Sequence, residues 1–125
     1  MSRSAILENQ FVGEGHYSLA LRIGELIVLQ ETLGCGPYVA ANRLLHGDWM
    51  VQDVTETIRL ALIGGGMSQQ EAHALVKRNV REGFLFDYVG LAGRVLMAAL
   101  SGVDDEPLDD LRGEPEAPAM TTDWD

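Results

Sequence analysis

Three consecutive glycines, Gly64-Gly65-Gly66, constrain this chain more than any other feature. Before them, Val54-Thr55-Glu56-Thr57-Ile58-Arg59-Leu60-Ala61-Leu62-Ile63 repeats its apolar residues at helical spacing. Glycine loses the most backbone freedom on folding, so three in a row forbid continuation of that helix. Immediately after them, Ser68-Gln69-Gln70-Glu71 has the spacing of a capping box, which starts a new helix. The region 47–85 therefore reads as two amphipathic helices joined by a short glycine turn.

The rest of the chain parses around this hairpin. Tyr17, Leu19, Leu21 and Ile23 alternate with Ser18, Ala20 and Arg22, the period of a half-buried strand. Residues 5–12 make a weaker strand, and Gly13-Glu14-Gly15 between the two can close a hairpin spanning about residues 5–23. From Gly24 the period becomes helical, with Leu26, Ile27, Gln30 and Leu33 on one face and Gly34 as the stop. Gly36-Pro37 opens a second helix that Gly47 ends. The third runs over 51–63, with Val51, Val54, Ile58, Ala61 and Leu62 facing inward. The fourth starts at Ser68, turns Ala72, Leu75, Val76 and Asn79 or Val80 inward, and ends at Gly83. The fifth runs over 86–100, with Tyr88, Leu91, Ala92, Val95, Leu96 and Ala99 inward, and Gly102 closes it. The expected fold is mainly α: a short N-terminal β-hairpin, four to five short helices, and a tail.

Charge separates body from tail. Residues 103–125 hold nine acids against Arg112 alone and so carry −8 of the net −10. The other 102 residues hold ten acids and eight bases and carry −2. The tail also holds Pro107, Pro115 and Pro118. Low hydrophobicity with high charge does not offset chain entropy, which predicts a disordered acidic tail over 103–125 behind one globular domain over 1–102. A near-neutral body lacks the basic face that phosphate contacts need, so nucleic acid is not an expected partner. Cys35 is the single cysteine, which excludes an internal disulfide and suits a reducing compartment. Glu8-Asn9-Gln10 interrupts any signal-peptide apolar region, and no run reaches the ~18 apolar residues of a membrane span.

No motif for chemistry emerges. The triple glycine lacks the following Lys-Ser/Thr of a phosphate loop. His16, His46 and His73 are scattered, none with a second ligand at metal spacing. Cys35 lies between two glycines, and no serine sits in a nucleophile elbow. The expectation is a non-enzymatic interaction protein with no cofactor, no metal and no small-molecule substrate.

Several segments together carry a family resemblance. They are Ile23-Gly24-Glu25-Leu26 with Leu29-Gln30-Glu31, Gly36-Pro37, Gly47-Asp48-Trp49-Met50, the 54–68 stretch ending in Gly64-Gly65-Gly66-Met67-Ser68, Glu71-Ala72, Leu75-Val76-Lys77-Arg78, and Leu96-Met97-Ala98-Ala99-Leu100-Ser101-Gly102. Over residues 15–107 the chain resembles the gene transfer agent family of small phage-tail proteins, of the tail assembly chaperone type, also described as a tail tube protein. It is more apolar than that family's usual pattern at Ile27 and Val28. The resemblance implies a chaperone that holds the tape measure protein during tail assembly. The alternative it implies is a structural subunit of the tail tube. A tail tube protein is a further partner, and the place of action is the bacterial cytoplasm or, alternatively, the assembled phage-like particle. It implies no catalytic residue.

Candidate contact residues follow from surplus apolar surface. Trp49 and Met50 lie in a loop, where Trp49 either folds back onto the core or stands out as an anchor. Ile27 and Val28 in one helix, and Leu60 and Ile63 in another, widen an apolar face beyond what one core needs, which suits a partner or self-association. Lys77, Arg78 and Arg81, with Arg94 further on, are a candidate basic patch onto which the acidic tail can dock. The bland reading of the same cations is pairing with a helix dipole.

Overall fold

A computed structural model describes residues 3–104 of the chain. In chain order the elements are β1 (Arg3–Ser4), β2 (Ile6–Val12), β3 (Gly15–Ala20), α1 (Ile23–Leu33), α2 (Pro37–His46), α3 (Val51–Gly64), α4 (Gln69–Asn79), α5 (Phe86–Ser101) and β4 (Val103–Asp104). The fold is mainly α with an N-terminal hairpin, as the periodicities predict.

β2 and β3 pair antiparallel from Ile6 opposite Ala20 to Val12 opposite Gly15. Their register shifts between Leu7 and Gln10, where Asn9 sits at φ 57°. Asparagine tolerates this left-handed conformation, and the bulge it makes breaks the alternation along β2. That is why the first strand is the weaker one in sequence. The alternation through Ile23 overshoots β3: the strand stops at Ala20, and Ile23 is the 72% exposed first residue of α1.

α3 and α5 are the middle of the fold. α3 packs on β3, α1, α4 and α5, while α5 also packs on α2 and on the hairpin. Val54, Ile58, Ala61 and Leu62 of α3 and Ala92, Val95 and Leu96 of α5 are buried in one cluster with Leu19, Leu21 and Leu29. α1 is rotated from the expected orientation. Leu29 is its buried residue, flanked by half-buried Leu26 and Leu33, and Ile27 is 47% exposed. Leu26-Ile27-Val28-Leu29 is apolar throughout, so sequence spacing alone did not choose between the two rotations.

The glycine run does more than turn the chain. A Cβ on Gly64 would overlap the Ala20 carbonyl oxygen, and one on Gly65 the Ser18 carbonyl oxygen. The end of α3 therefore lies directly on the backbone of β3, and Gly66, at φ +121° with open space around it, makes the turn. Arg22 completes this junction: its Nε donates to the Gly64 carbonyl at 3.0 Å, capping a helix whose last turn has no cation of its own.

Two boundaries differ from expectation. α4 ends at Asn79 rather than at Gly83, which puts Arg81 in the following turn. Val103 and Asp104 belong to the folded domain, because β4 pairs antiparallel with β1, Ser4 opposite Val103 and Arg3 opposite Asp104. Pairing with an N-terminal strand outweighs the acidic composition that assigned these two residues to the tail. The remainder of that expected tail, 105–125, lies outside the described residues.

Candidate functional site

The site is built on a buried ion pair. Asp53, in the first turn of α3, is fully buried. Its Oδ1 accepts from Arg43 Nη2 at 2.6 Å and its Oδ2 from Arg43 Nε at 2.9 Å, and Oδ2 also accepts from the Met50 backbone N–H at 2.9 Å. This bidentate pairing raises the Arg43 pKa further above its ordinary value. The carboxylate also faces the positive end of the α3 dipole. Asp53 thus ties the end of α2 to the start of α3 and fixes the short loop between them, which carries Trp49 and Met50.

That loop presents an aromatic shoulder. The Trp49 ring stands edge-on to Phe86, the first residue of α5, with centroids 5.9 Å apart and planes at 83°. Trp49 is half-buried against the core, whereas Met50 is 58% and Phe86 84% exposed. Trp49 is therefore folded back against the core, while its neighbours Met50 and Phe86 project.

Beside the shoulder runs a groove of about 550 Å³ between α3 and α4. Val51, Thr55 and Arg59 repeat every four residues along its α3 wall, and His73, Val76 and Lys77 form its α4 wall, with Val80, Arg81, Glu82 and Leu85 following α4. Val51 to Arg59 covers about 12 Å of helix, a little over two turns. Val76, Val80 and Leu85 give an apolar floor. On the α3 wall Glu56 neutralises Arg59 through contacts of 2.6 and 3.1 Å. Lys77 and Arg81 make no ion pair among the described residues. Arg81 is held over the Phe84 ring at 5.2 Å and donates from Nε to the Arg78 carbonyl. The groove lining thus holds two cations, Lys77 and Arg81, that make no ion pair among the described residues, together with apolar Val76, Val80 and Leu85.

The structure sorts the residues singled out in the sequence. Lys77 and Arg81 line this groove, and Trp49 and Met50 lie in the loop just before its Val51. Arg78 does not: it points to the hairpin, where Nε and Nη2 contact Glu14 at 2.7 and 2.9 Å. The Arg78 guanidinium, with help from Asn79, holds the Glu14 carboxyl down at about 2. Arg94 is bonded instead to Gln10 Oε1. Ile27 and Val28 are exposed on α1, which contributes nothing to the groove. Leu60 is 4% exposed and part of the core, and Ile63 is half-buried against it, so neither is a free contact residue. α3 is enclosed on most of its circumference, and its wide apolar face is spent on β3, α1, α4 and α5. Val51, assigned inward, is 55% exposed and lines the groove. Phe86 and Leu85 had no assigned role. Their signal was the cluster Phe84-Leu85-Phe86 directly after a helix stop.

Among the described residues no helix is long and apolar enough to cross a membrane. Residues 8–102 match the family described as phage tail tube protein, GTA-gp10. No curated protein and no solved structure matches the chain.

Proposed function

The chain belongs to the GTA-gp10 phage tail tube protein family, and from that premise we propose that it acts as a tail assembly chaperone, holding the tape measure protein while the tail is built. The observation that carries this reading is the α3–α4 groove with its exposed Met50 and Phe86 shoulder. A groove of about two helical turns with an apolar floor suits an amphipathic helix laid in it. Lys77 and Arg81 on the rim select a client helix with acidic residues beside its apolar stripe. The resemblance makes the client long and aggregation-prone, so many copies of a weak binder along it gain by multivalency. No reacting group is used, and the role needs no cofactor. Binding during assembly puts the protein in the bacterial cytoplasm, with the client as its main partner.

The strand content also favours a chaperone over a tube subunit. A tube wall closed through continuous sheet needs long paired edges. The described residues offer two separate two-stranded sheets, of which one has strands of two residues each.

Co-expression with the tape measure protein from the same gene neighbourhood tests the reading. The expected result is an otherwise insoluble client recovered in a stable complex, with recovery lost in Val51→Asp and Phe86→Ser, whose side chains are exposed. Failure to rescue, together with rings of the isolated protein or its abundance in purified particles, refutes the chaperone role and supports a tube subunit.

A further inference from the structure

We propose that the outer face of α5, bordered by α2, is a two-fold interface on which a second copy of this chain docks. The two α5 helices pack antiparallel, with the axis between Gly90 and Gly93. The inference does not rest on the α3–α4 groove or on its client.

α5 carries two stripes. The inner one, with Leu91, Ala92, Val95, Leu96 and Ala98, is buried. The outer one is Phe86, Gly90, Gly93, Met97 and Leu100, at intervals of four, three, four and three residues. That alternation is the seam of a coiled coil, the pattern one helix presents to another. Phe86 and Leu100 are exposed on it. Leu45 of α2 borders it, since a Cβ on Gly93 would meet Leu45 Cδ2 at 3.7 Å. Tyr38, seven residues before Leu45, lies on the same side of α2, and both are exposed. None of these side chains is charged. The exposed parts of Phe86, Leu100, Leu45 and Tyr38 come to roughly 500 Å². A standard interface buries about 800 Å² per partner, of which about 65% is apolar in homodimers, so the face is of the size a dimer needs. Residues 1–102 carry only −2, so two such bodies approach without strong repulsion.

The order along the seam identifies the occupant. From Phe86 to Met97 it runs large, small, small, large at intervals of four, three and four, and it reads the same in reverse. An antiparallel copy therefore sets Phe86 against Met97 and Gly90 against Gly93, each contact made twice, as an isologous pairing requires. The sulfur of methionine packs favourably on an aromatic ring. Charge agrees. Asp87 and Arg94 are seven residues apart on one flank of the seam. The two-fold axis brings Asp87 opposite Arg94 of the second copy, and Arg94 opposite its Asp87. Both are exposed, and neither makes an ion pair among the described residues. Gly90 is otherwise unexplained. Glycine weakens a helix, yet beyond the backbone of its own helix a Cβ there would find only Arg94 Nη1, at 4.0 Å. Close approach of a second α5 gives this glycine a reason.

The test is sedimentation of the full chain from low to high micromolar concentration at physiological salt. The expected result is a reversible monomer–dimer equilibrium. Gly90→Glu should weaken it at least about tenfold, by placing an unpaired carboxylate at the centre of the interface. The same variant should melt no lower than the parent, because the position is exposed and glutamate is the better helix former. Asp87→Arg should also weaken the dimer, and Asp87→Arg/Arg94→Asp should restore it. The proposal is overturned by a parent that stays monomeric, by a dimer indifferent to Gly90→Glu, by a double exchange that restores nothing, or by rings in place of dimers. It is also overturned if a monomeric parent holds the tape measure protein and Gly90→Glu releases it, which makes the client the occupant of this face. The client reading is scored separately, because Gly90 does not line the α3–α4 groove. A Gly90→Glu monomer that still captures the client supports both, and a dimer that captures none removes the client reading alone.

Discussion

Removing Arg43 tests the physical account of the site most directly. In Arg43→Ala the fully buried Asp53 carboxylate keeps one donor, the Met50 N–H, and loses the two bonds of 2.6 and 2.9 Å from the guanidinium. Truncating one partner of a buried ion pair costs about 3–5 kcal/mol, because the remaining charge stays desolvated. Domains of this class are stable by only about 5–15 kcal/mol. At roughly 4–8 °C per kcal/mol for a chain of about a hundred residues, the unfolding midpoint should fall by at least about 12 °C. Asp53→Asn should be milder, about 1.5–3 kcal/mol, since the amide oxygen still accepts from Met50 while the charged bonds are lost. Thermal melts followed by far-UV circular dichroism give the midpoint, and the near-UV signal of Trp49 reports the loop. The loop signal should fade before the helical one. If Arg43→Ala melts within about 2 °C of the parent, Asp53 is solvated and the tie between α2 and α3 does not organise the site.

Gly64→Ala should destabilise by about 3 kcal/mol or more, because its methyl meets the backbone of Ala20 rather than a movable side chain. Gly24→Ala, in α1 with open space around it, should instead stabilise by about 0.5–1 kcal/mol; chemical denaturation of the two variants measures both signs. Leu60→Ala should cost about 2–5 kcal/mol and Ile27→Glu within about 0.5 kcal/mol of nothing, and similar melts for the two would contradict the assignment of Leu60 to the core. Glu14, lowered from 4.5 to about 2 by Arg78 and then Asn79, contributes stability that is complete above pH 4.5 and is lost as pH falls towards about 2. Glu14→Gln should flatten the melting midpoint across that window, and an unchanged acid slope would mean the pair does not form in solution.

Much of the fold was legible because its signals are local. Gly34, Gly47 and Gly102 sit at positive φ just past helices that their position predicted to end there. Pro37 begins α2, and Ser68 caps α4 by accepting from the Glu71 N–H at 3.2 Å. These depend on the conformational preferences of single residues and on hydrogen bonds within one turn. The acidic excess beyond residue 102 and the family resemblance were equally available from residue identities.

The candidate site was legible only in pieces. Trp49, Met50, Lys77 and Arg81 were marked by type, but the groove that Lys77 and Arg81 line needs the packing of α3 on α4, and the shoulder needs the contact of Trp49 with Phe86. Arg78 is one residue from Lys77, and a helix turns adjacent side chains about 100° apart, so only the position of Glu14 in the hairpin decided that it leaves the patch. The rotation of α1 and the burial of Leu60 were decided by what lies opposite, since an apolar run satisfies either face. Gly64 and Gly65 read as a turn in the sequence, and the approach of β3 made them a packing surface. Sequence by itself determined which segments become helices, where they stop, and how charge divides. Tertiary structure decided which apolar and charged groups remain free, because exposure belongs to pairs of elements and not to any one of them.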